Sequence, residues 1–126
     1  MRVASVDTGF VAAAPERVFE VLSAPAGYRA WWPGVSSPGE GELRLPSIGR
    51  VAARPDGVEP GVELTLRLEG PRCRGRLQWY LEPYEEGTLV YGIVDVETRR
   101  RWGTRRRLRV RSAVHAALFE LKGKLE

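Results

Sequence analysis

Between Val62 and Glu97 apolar and polar residues alternate with a period of two, and that alternation leaves few folds open to the chain. Val62, Leu64, Leu66 and Leu68 interleave with Glu63, Thr65, Arg67 and Glu69, as in a strand with one buried and one wet face. A turn at Glu69-Gly70-Pro71-Arg72 pairs Leu68 with Cys73, Leu66 with Gly75, Leu64 with Leu77 and Val62 with Trp79, so that inward residues meet apolar or small ones. A second turn at Tyr84-Glu85-Glu86-Gly87 sets Leu81 against Val90, Trp79 against Gly92 and Leu77 against Val94. On the opposite face the same register matches Tyr80 with Tyr91, Arg76 with Asp95 and Arg74 with Glu97. Slipping by one residue would bury arginines and expose leucines, so the pattern predicts a three-stranded antiparallel meander.

Around this meander the remaining elements are shorter. The run Val3 to Val11 reads as a strand; Pro15 then suits the first position of a helix and Glu16 the positive end of its dipole. Val18, Phe19 and Leu22 give that helix an apolar face, Ser23-Ala24-Pro25 ends it, and Gly27 to Trp32 forms a second short helix stopped by Pro33-Gly34. Phe10 and Phe19 are assigned to the core. Strands are expected near Glu42 to Leu45 and Ile48 to Arg54, in a compressed, Gly- and Pro-rich middle. A long helix begins between Thr98 and Arg105 and runs to about Leu125, with Val110, Val114, Ala117, Leu118, Leu121 and Leu125 on one stripe.

With 126 residues, 43% hydrophobic and 29% charged, the chain has the balance of one globular domain, residues 1–126. No apolar run approaches a membrane span and Met1 to Asp7 does not read as a signal peptide, so a cytoplasmic protein is expected. One cysteine, Cys73, and one histidine, His115, are too few for a zinc or iron–sulfur site; neither metal nor cofactor is expected. The pI of about 9.7 has a local origin. Arg99, Arg100, Arg101, Arg105, Arg106, Arg107, Arg109 and Arg111 fall in one stretch without an acid, and the rest of the chain carries more acidic than basic residues.

Several stretches resemble a known family. Val11-Ala12-Ala13-Ala14-Pro15-Glu16-Arg17-Val18-Phe19-Glu20-Val21-Leu22, with Tyr28-Arg29-Ala30-Trp31-Trp32-Pro33-Gly34-Val35, is similar to the opening of the polyketide cyclase/dehydrase and lipid-transport family of the START-related SRPBCC superfamily. Gly75-Arg76-Leu77-Gln78-Trp79-Tyr80-Leu81-Glu82-Pro83, with Gly87-Thr88-Leu89-Val90, resembles its penultimate hairpin. The resemblance covers nearly the whole chain but rests on structural motifs. It implies an α+β helix-grip fold: a curved antiparallel sheet of six or seven strands around a long C-terminal helix, with two short helices after the first strand. It also implies a cavity between sheet and helix for a small hydrophobic or aromatic molecule, lipid or polyketide-like.

The candidate ligand-binding residues are accordingly Tyr28, Trp31 and Trp32 at the rim, Leu64, Leu66, Leu68, Leu77, Trp79, Val90, Gly92 and Val94 on the sheet, and Val114 and Leu118 on the helix. Gly75 and Gly92 either make room for a ligand or merely admit bulky neighbours such as Trp79. Candidate acids and bases are scarce. His115 lies beside the apolar stripe, Cys73 reads as a small buried hydrophobe, and the facing of Asp7 stays open, so no catalytic residue is assigned. A non-catalytic binder or carrier is therefore favoured over a cyclase, aromatase or dehydrase using the same cavity. In the carrier Arg105, Arg106, Arg107 and Arg109 would guide an anionic ligand group or contact a lipid surface, and a third reading is a regulatory module binding RNA, protein or anionic membrane through the arginine-rich segment 99–111, with Trp102 as a stacking or interfacial ring. Nucleic acid is the weakest of the tract's partners, and Leu108 with Phe119 suggests a homodimer.

Overall fold

The alternating segment forms the centre of a single sheet in the computed structural model, which describes residues 1–126. The strands are β1 (Arg2–Val11), β2 (Glu42–Leu45), β3 (Gly49–Glu59), β4 (Glu63–Glu69), β5 (Cys73–Tyr84) and β6 (Gly87–Thr98). They lie in the order β1-β6-β5-β4-β3-β2, antiparallel throughout, so that the first strand pairs with the last. Helix α1 (Pro15–Leu22) and a short 3-10 helix (Pro25–Ala30) connect β1 to β2, and α2 (Thr104–Leu125) closes the chain. The sheet curls around α2, which packs chiefly on β1 and β6, while α1 packs on β5, β4 and β6.

The β5–β6 register is the predicted one, with Leu77 opposite Val94, Trp79 opposite Gly92 and Arg76 opposite Asp95. Between β4 and β5 the register differs by two residues: Leu64 faces Trp79, Leu66 faces Leu77 and Leu68 faces Gly75. The cause is the turn. The Gly70 N–H donates to the Cys73 carbonyl at 2.9 Å, and Cys73 pairs with Thr98 of β6 instead of with Leu68. A shift of two preserves the facing of every side chain, so Leu64, Leu66, Leu68, Leu77, Trp79 and Leu81 are buried as expected. Val62 precedes β4 and is half-buried. The compressed middle holds a longer strand than expected, because a bulge between Pro55 and Val58 lets β3 continue to Glu59.

Two further expectations are corrected. Phe10 is not core: Val3, Ser5 and Val11 set the inner face of β1, which turns Phe10 outward, 37% exposed and edge-on to Tyr84. Trp102 is not an interfacial ring, because it is buried beneath the Arg106 guanidinium, 3.7 Å from the ring centre. The α2 stripe is as predicted, with all six of its apolar residues buried, while Leu108 and Phe119 remain exposed.

Gly75 answers one of the open alternatives. A Cβ there would run into the backbone carbonyl of Asp95 and lie 2.6 Å from Val96 Cα, so the glycine permits a close strand approach and leaves no room for a ligand. Gly75→Ala is expected to destabilise the protein by about 3 kcal/mol, the upper range for overpacking a rigid site. Thermal unfolding should show a fall on the order of 10 °C in Tm for a chain of this size.

Candidate functional site

The 3-10 helix that follows α1 inserts Tyr28 into the interior, where it is fully buried. Its hydroxyl donates to the Leu22 carbonyl at the end of α1 and accepts the Trp79 indole N–H at 3.0 Å. Trp79 rises from the middle of β5 over Gly92; a Cβ on Gly92 would lie 2.9 Å from both the Trp79 ring and Val114 Cγ1. The space left by that glycine is thus occupied by an indole from the sheet and a methyl from α2. Trp32 donates its indole N–H to the Ala113 carbonyl of α2 at 3.0 Å and meets Trp79 edge-on, with ring centres 5.7 Å apart. Trp31 stacks on Trp32 at 6.0 Å with 20° between planes and touches Tyr28 at 5.3 Å.

Every pair among these four rings lies within 6.4 Å, the range in which aromatic contacts add to simple burial. Hydrogen bonds anchor three of them; Trp31 is held by ring contacts alone and retains 7% exposure. All the residues singled out from the sequence for the ligand site come together here: the aromatic group, Leu64, Leu66, Leu68, Leu77, Val90 and Val94 from the sheet, and Val114 and Leu118 from α2 share one buried cluster, with Gly92 at its floor. Neither tryptophan forms an open rim, since Trp32 is 2% exposed and Trp31 barely more. A broad cleft of about 640 Å³ lies on the other, outer face of the sheet, lined by charged residues that include the paired Arg2 and Asp95.

The electrostatics of the interior favour neutral groups. Burial pushes the Tyr28 hydroxyl well above the usual tyrosine range, against the opposing effect of the Trp79 hydrogen bond. Burial also raises the Cys73 thiol, partly offset by the Arg106 charge. The broken alternation of β1 leaves the facing of Asp7 open; the structure turns it toward α2, where its Oδ2 lies 2.8 Å from Nδ1 of the exposed His115. Ser5, one step along the same face of β1, buries its hydroxyl without a hydrogen-bond partner. Facing was unreadable because Asp7 and Gly9 occupy inward positions that an alternation would fill with apolar residues.

The arginine tract does not form one patch. Arg105 is exposed at the start of α2, Arg107 turns to the β1 side with Arg2 and Arg111, and Arg106 and Arg109 turn to the β2–β3 side. Two arginines that sequence reasoning missed, Arg44 and Arg72, stand on that second side. Their convergence depends on the β2–β3 and β4–β5 turns, which no periodicity in the sequence specifies.

The architecture, a curled antiparallel sheet closed on a long C-terminal helix, is the START-like helix-grip fold. The Zhui aromatase/cyclase from Streptomyces sp. R1128 superposes with a TM-score of 0.77 at 20% identity, covering 99% of this chain and 94% of that one. A START superfamily protein from Mycobacterium smegmatis gives 0.75 at 17% identity over 97% of this chain and 96% of its own. The Aha1 dimer from Colwellia psychrerythraea gives 0.71 at 18% identity over 98% and 96%. No family model and no curated protein matches the sequence. No helix is long and apolar enough to cross a membrane.

Tyr28→Phe leaves two buried groups, the Leu22 carbonyl and the Trp79 N–H, without their partner, so a loss of about 2 kcal/mol in denaturant unfolding is expected. The folded hydroxyl has a higher pKa than the unfolded one, so its contribution is complete below about pH 10 and is lost as pH climbs above that value. The wild type should therefore lose stability in that alkaline range, and the Phe variant should lose less across the same span.

Proposed function

We propose that the protein binds a small hydrophobic or aromatic molecule between the sheet and α2, with Trp31 as the group that gives way. The observation that carries this reading is the asymmetry within the aromatic cluster: three rings are fixed to backbone or to one another by hydrogen bonds, whereas Trp31 sits outermost, fixed only by stacking. Displacing it costs ring contacts but strands no buried donor, and it leaves a space the size of an indole floored by Trp79, Tyr28 and Trp32. A flat apolar guest would restore the lost contacts. The helix-grip architecture shared with START superfamily and aromatase/cyclase structures supports a ligand-binding role in general terms.

Binding without chemistry is the reading we take. A cyclase would need a base or acid free to act inside the grip; burial disfavours the anionic forms of Tyr28 and Cys73 that a base or nucleophile requires, and the Tyr28 proton is already given to the Leu22 carbonyl. The ligand-wall roles of Leu64, Leu66, Leu68, Leu77, Val90, Val94, Val114 and Leu118 belong to the same proposal.

Naphthalene titration followed by tryptophan emission tests it. The wild type should bind saturably, Trp31→Ala should bind with a faster association rate, and Leu66→Trp, which adds an indole to the buried wall of the sheet, should lose binding while circular dichroism stays unchanged. Absence of binding in both the wild type and Trp31→Ala would overturn the reading. Solvent extraction of the purified protein, with mass identification of what is released, would name the natural ligand class.

A further inference from the structure

A second feature stands apart from the aromatic interior. Where the β2–β3 turn meets the β4–β5 turn and the first turns of α2, a surface cleft of about 420 Å³ is lined by Arg44, Arg72, Arg106 and Arg109 and by no aspartate or glutamate. The ion pairs of this chain engage Arg2, Arg50, Arg67 and Arg76, and none of the four cleft arginines. The contrast within one hairpin is direct. Arg50 on β3 is held by both carboxylate oxygens of Glu42, at 2.6 and 2.8 Å, whereas Arg44 on β2 has no acid.

The guanidiniums are built in place by the backbone. Ser47, in the left-handed region at φ 62°, turns its carbonyl to accept the Arg106 Nε–H at 2.8 Å. Trp102 supports the flat face of the same guanidinium, leaving its two terminal nitrogens without a partner in the chain. Arg72 lies against the turn, its Nη1 3.9 Å from where a Gly49 side chain would begin. Burial, and then the neighbouring Arg72 charge, lowers the proton affinity of Arg106, which places the two cations close to one another. The positive end of the α2 dipole adds to the same potential, and α2 has no acidic residue in its first turn.

Four cations drawn together without a counterion repel one another, and each guanidinium presents a planar fork suited to a pair of oxygens. A monocarboxylate would answer one of the four. We propose that this cleft is a binding site for a phosphate group, read by Arg44, Arg72, Arg106 and Arg109. A phosphate supplies up to two charges and enough acceptor oxygens for several forks at once. Neither the opening of the interior nor an apolar guest is required.

Two probes separate the sources of such a group. Inorganic pyrophosphate, titrated calorimetrically at about 0.1 M salt, reports a soluble phosphate; that ionic strength screens diffuse surface charge beyond about 10 Å. Co-sedimentation with phosphatidylcholine vesicles containing phosphatidic acid, against phosphatidylcholine alone, reports a lipid headgroup. The double variant Arg44→Gln/Arg72→Gln alters two exposed side chains and should keep the wild-type circular dichroism. Arg17→Gln/Arg54→Gln removes the same charge from exposed positions outside the cleft. Saturable binding of either probe, weakened at least tenfold more by the cleft double variant than by the control, is the expected result. Binding of pyrophosphate identifies a soluble ligand, and binding of vesicles alone identifies a headgroup. Failure of the wild type to bind either probe, or a smaller difference between the two variants, overturns the proposal. Naphthalene carries no charge, so the two functional readings stand or fall separately.

Discussion

The hydroxyl of Tyr28 is the junction on which the interior depends. It joins the end of α1 to the centre of β5 by accepting from Trp79 while donating to Leu22, and no other side chain links those two elements by hydrogen bonds. Because Trp79 is fixed there, its ring covers Gly92, and because Gly92 lacks a side chain, Val114 can bring α2 down onto β6. Trp32 then ties the helix from the other side through the Ala113 carbonyl. A single neutral hydroxyl thereby helps to set how α1 and α2 sit on the inner face of the sheet. Deep burial keeps it neutral, and a charged oxygen in that position would be costly.

Much of this was legible in the sequence, for a reason specific to sheets. A period of two encodes facing and only weakly encodes register, so the β4–β5 pairing could differ by two residues while every inward leucine stayed inward. The β5–β6 pairing was fixed more tightly, since Trp79 needs Gly92 opposite it and the outer-face pairs Arg76–Asp95 and Arg74–Glu97 agree with that choice. The stripe on α2 was equally readable. Less readable was β1, whose inner face holds Ser5, Asp7 and Gly9 between its valines and whose outer face holds Val6 and Phe10. An edge strand beside a helix can afford such irregularity, and the alternation dissolves.

The candidate sites divide along the same line. The aliphatic candidates inside the grip and Trp79 follow from the spacing of periodic elements, and Tyr28, Trp31 and Trp32 from the resemblance that the strand–helix–hairpin motifs carry. The resemblance implies a rim position for the Trp31–Trp32 pair, and only the fold shows both rings turned inward, differing in what holds them. The arginines were visible as a run, but a helix distributes consecutive residues around its circumference. Their partners Arg44 and Arg72 come from turns whose geometry follows backbone dihedrals such as that of Ser47, and a composition or pattern argument has no access to those.

The pairing of β1 with β6 bears on how the chain acquires its structure. Arg2 lies opposite Glu97 and Val11 opposite Thr88, so the first strand has no hydrogen-bonding partner until almost the whole sheet exists. Loop closure over that separation is entropically expensive, and folds governed by such distant pairings form slowly. During synthesis the meander of β4, β5 and β6 can assemble from local turns, while β1 waits as an unpaired strand with Val3 and Val11, buried in the finished fold, still uncovered. The interval between those two events is when the chain is most exposed to association with other nascent strands.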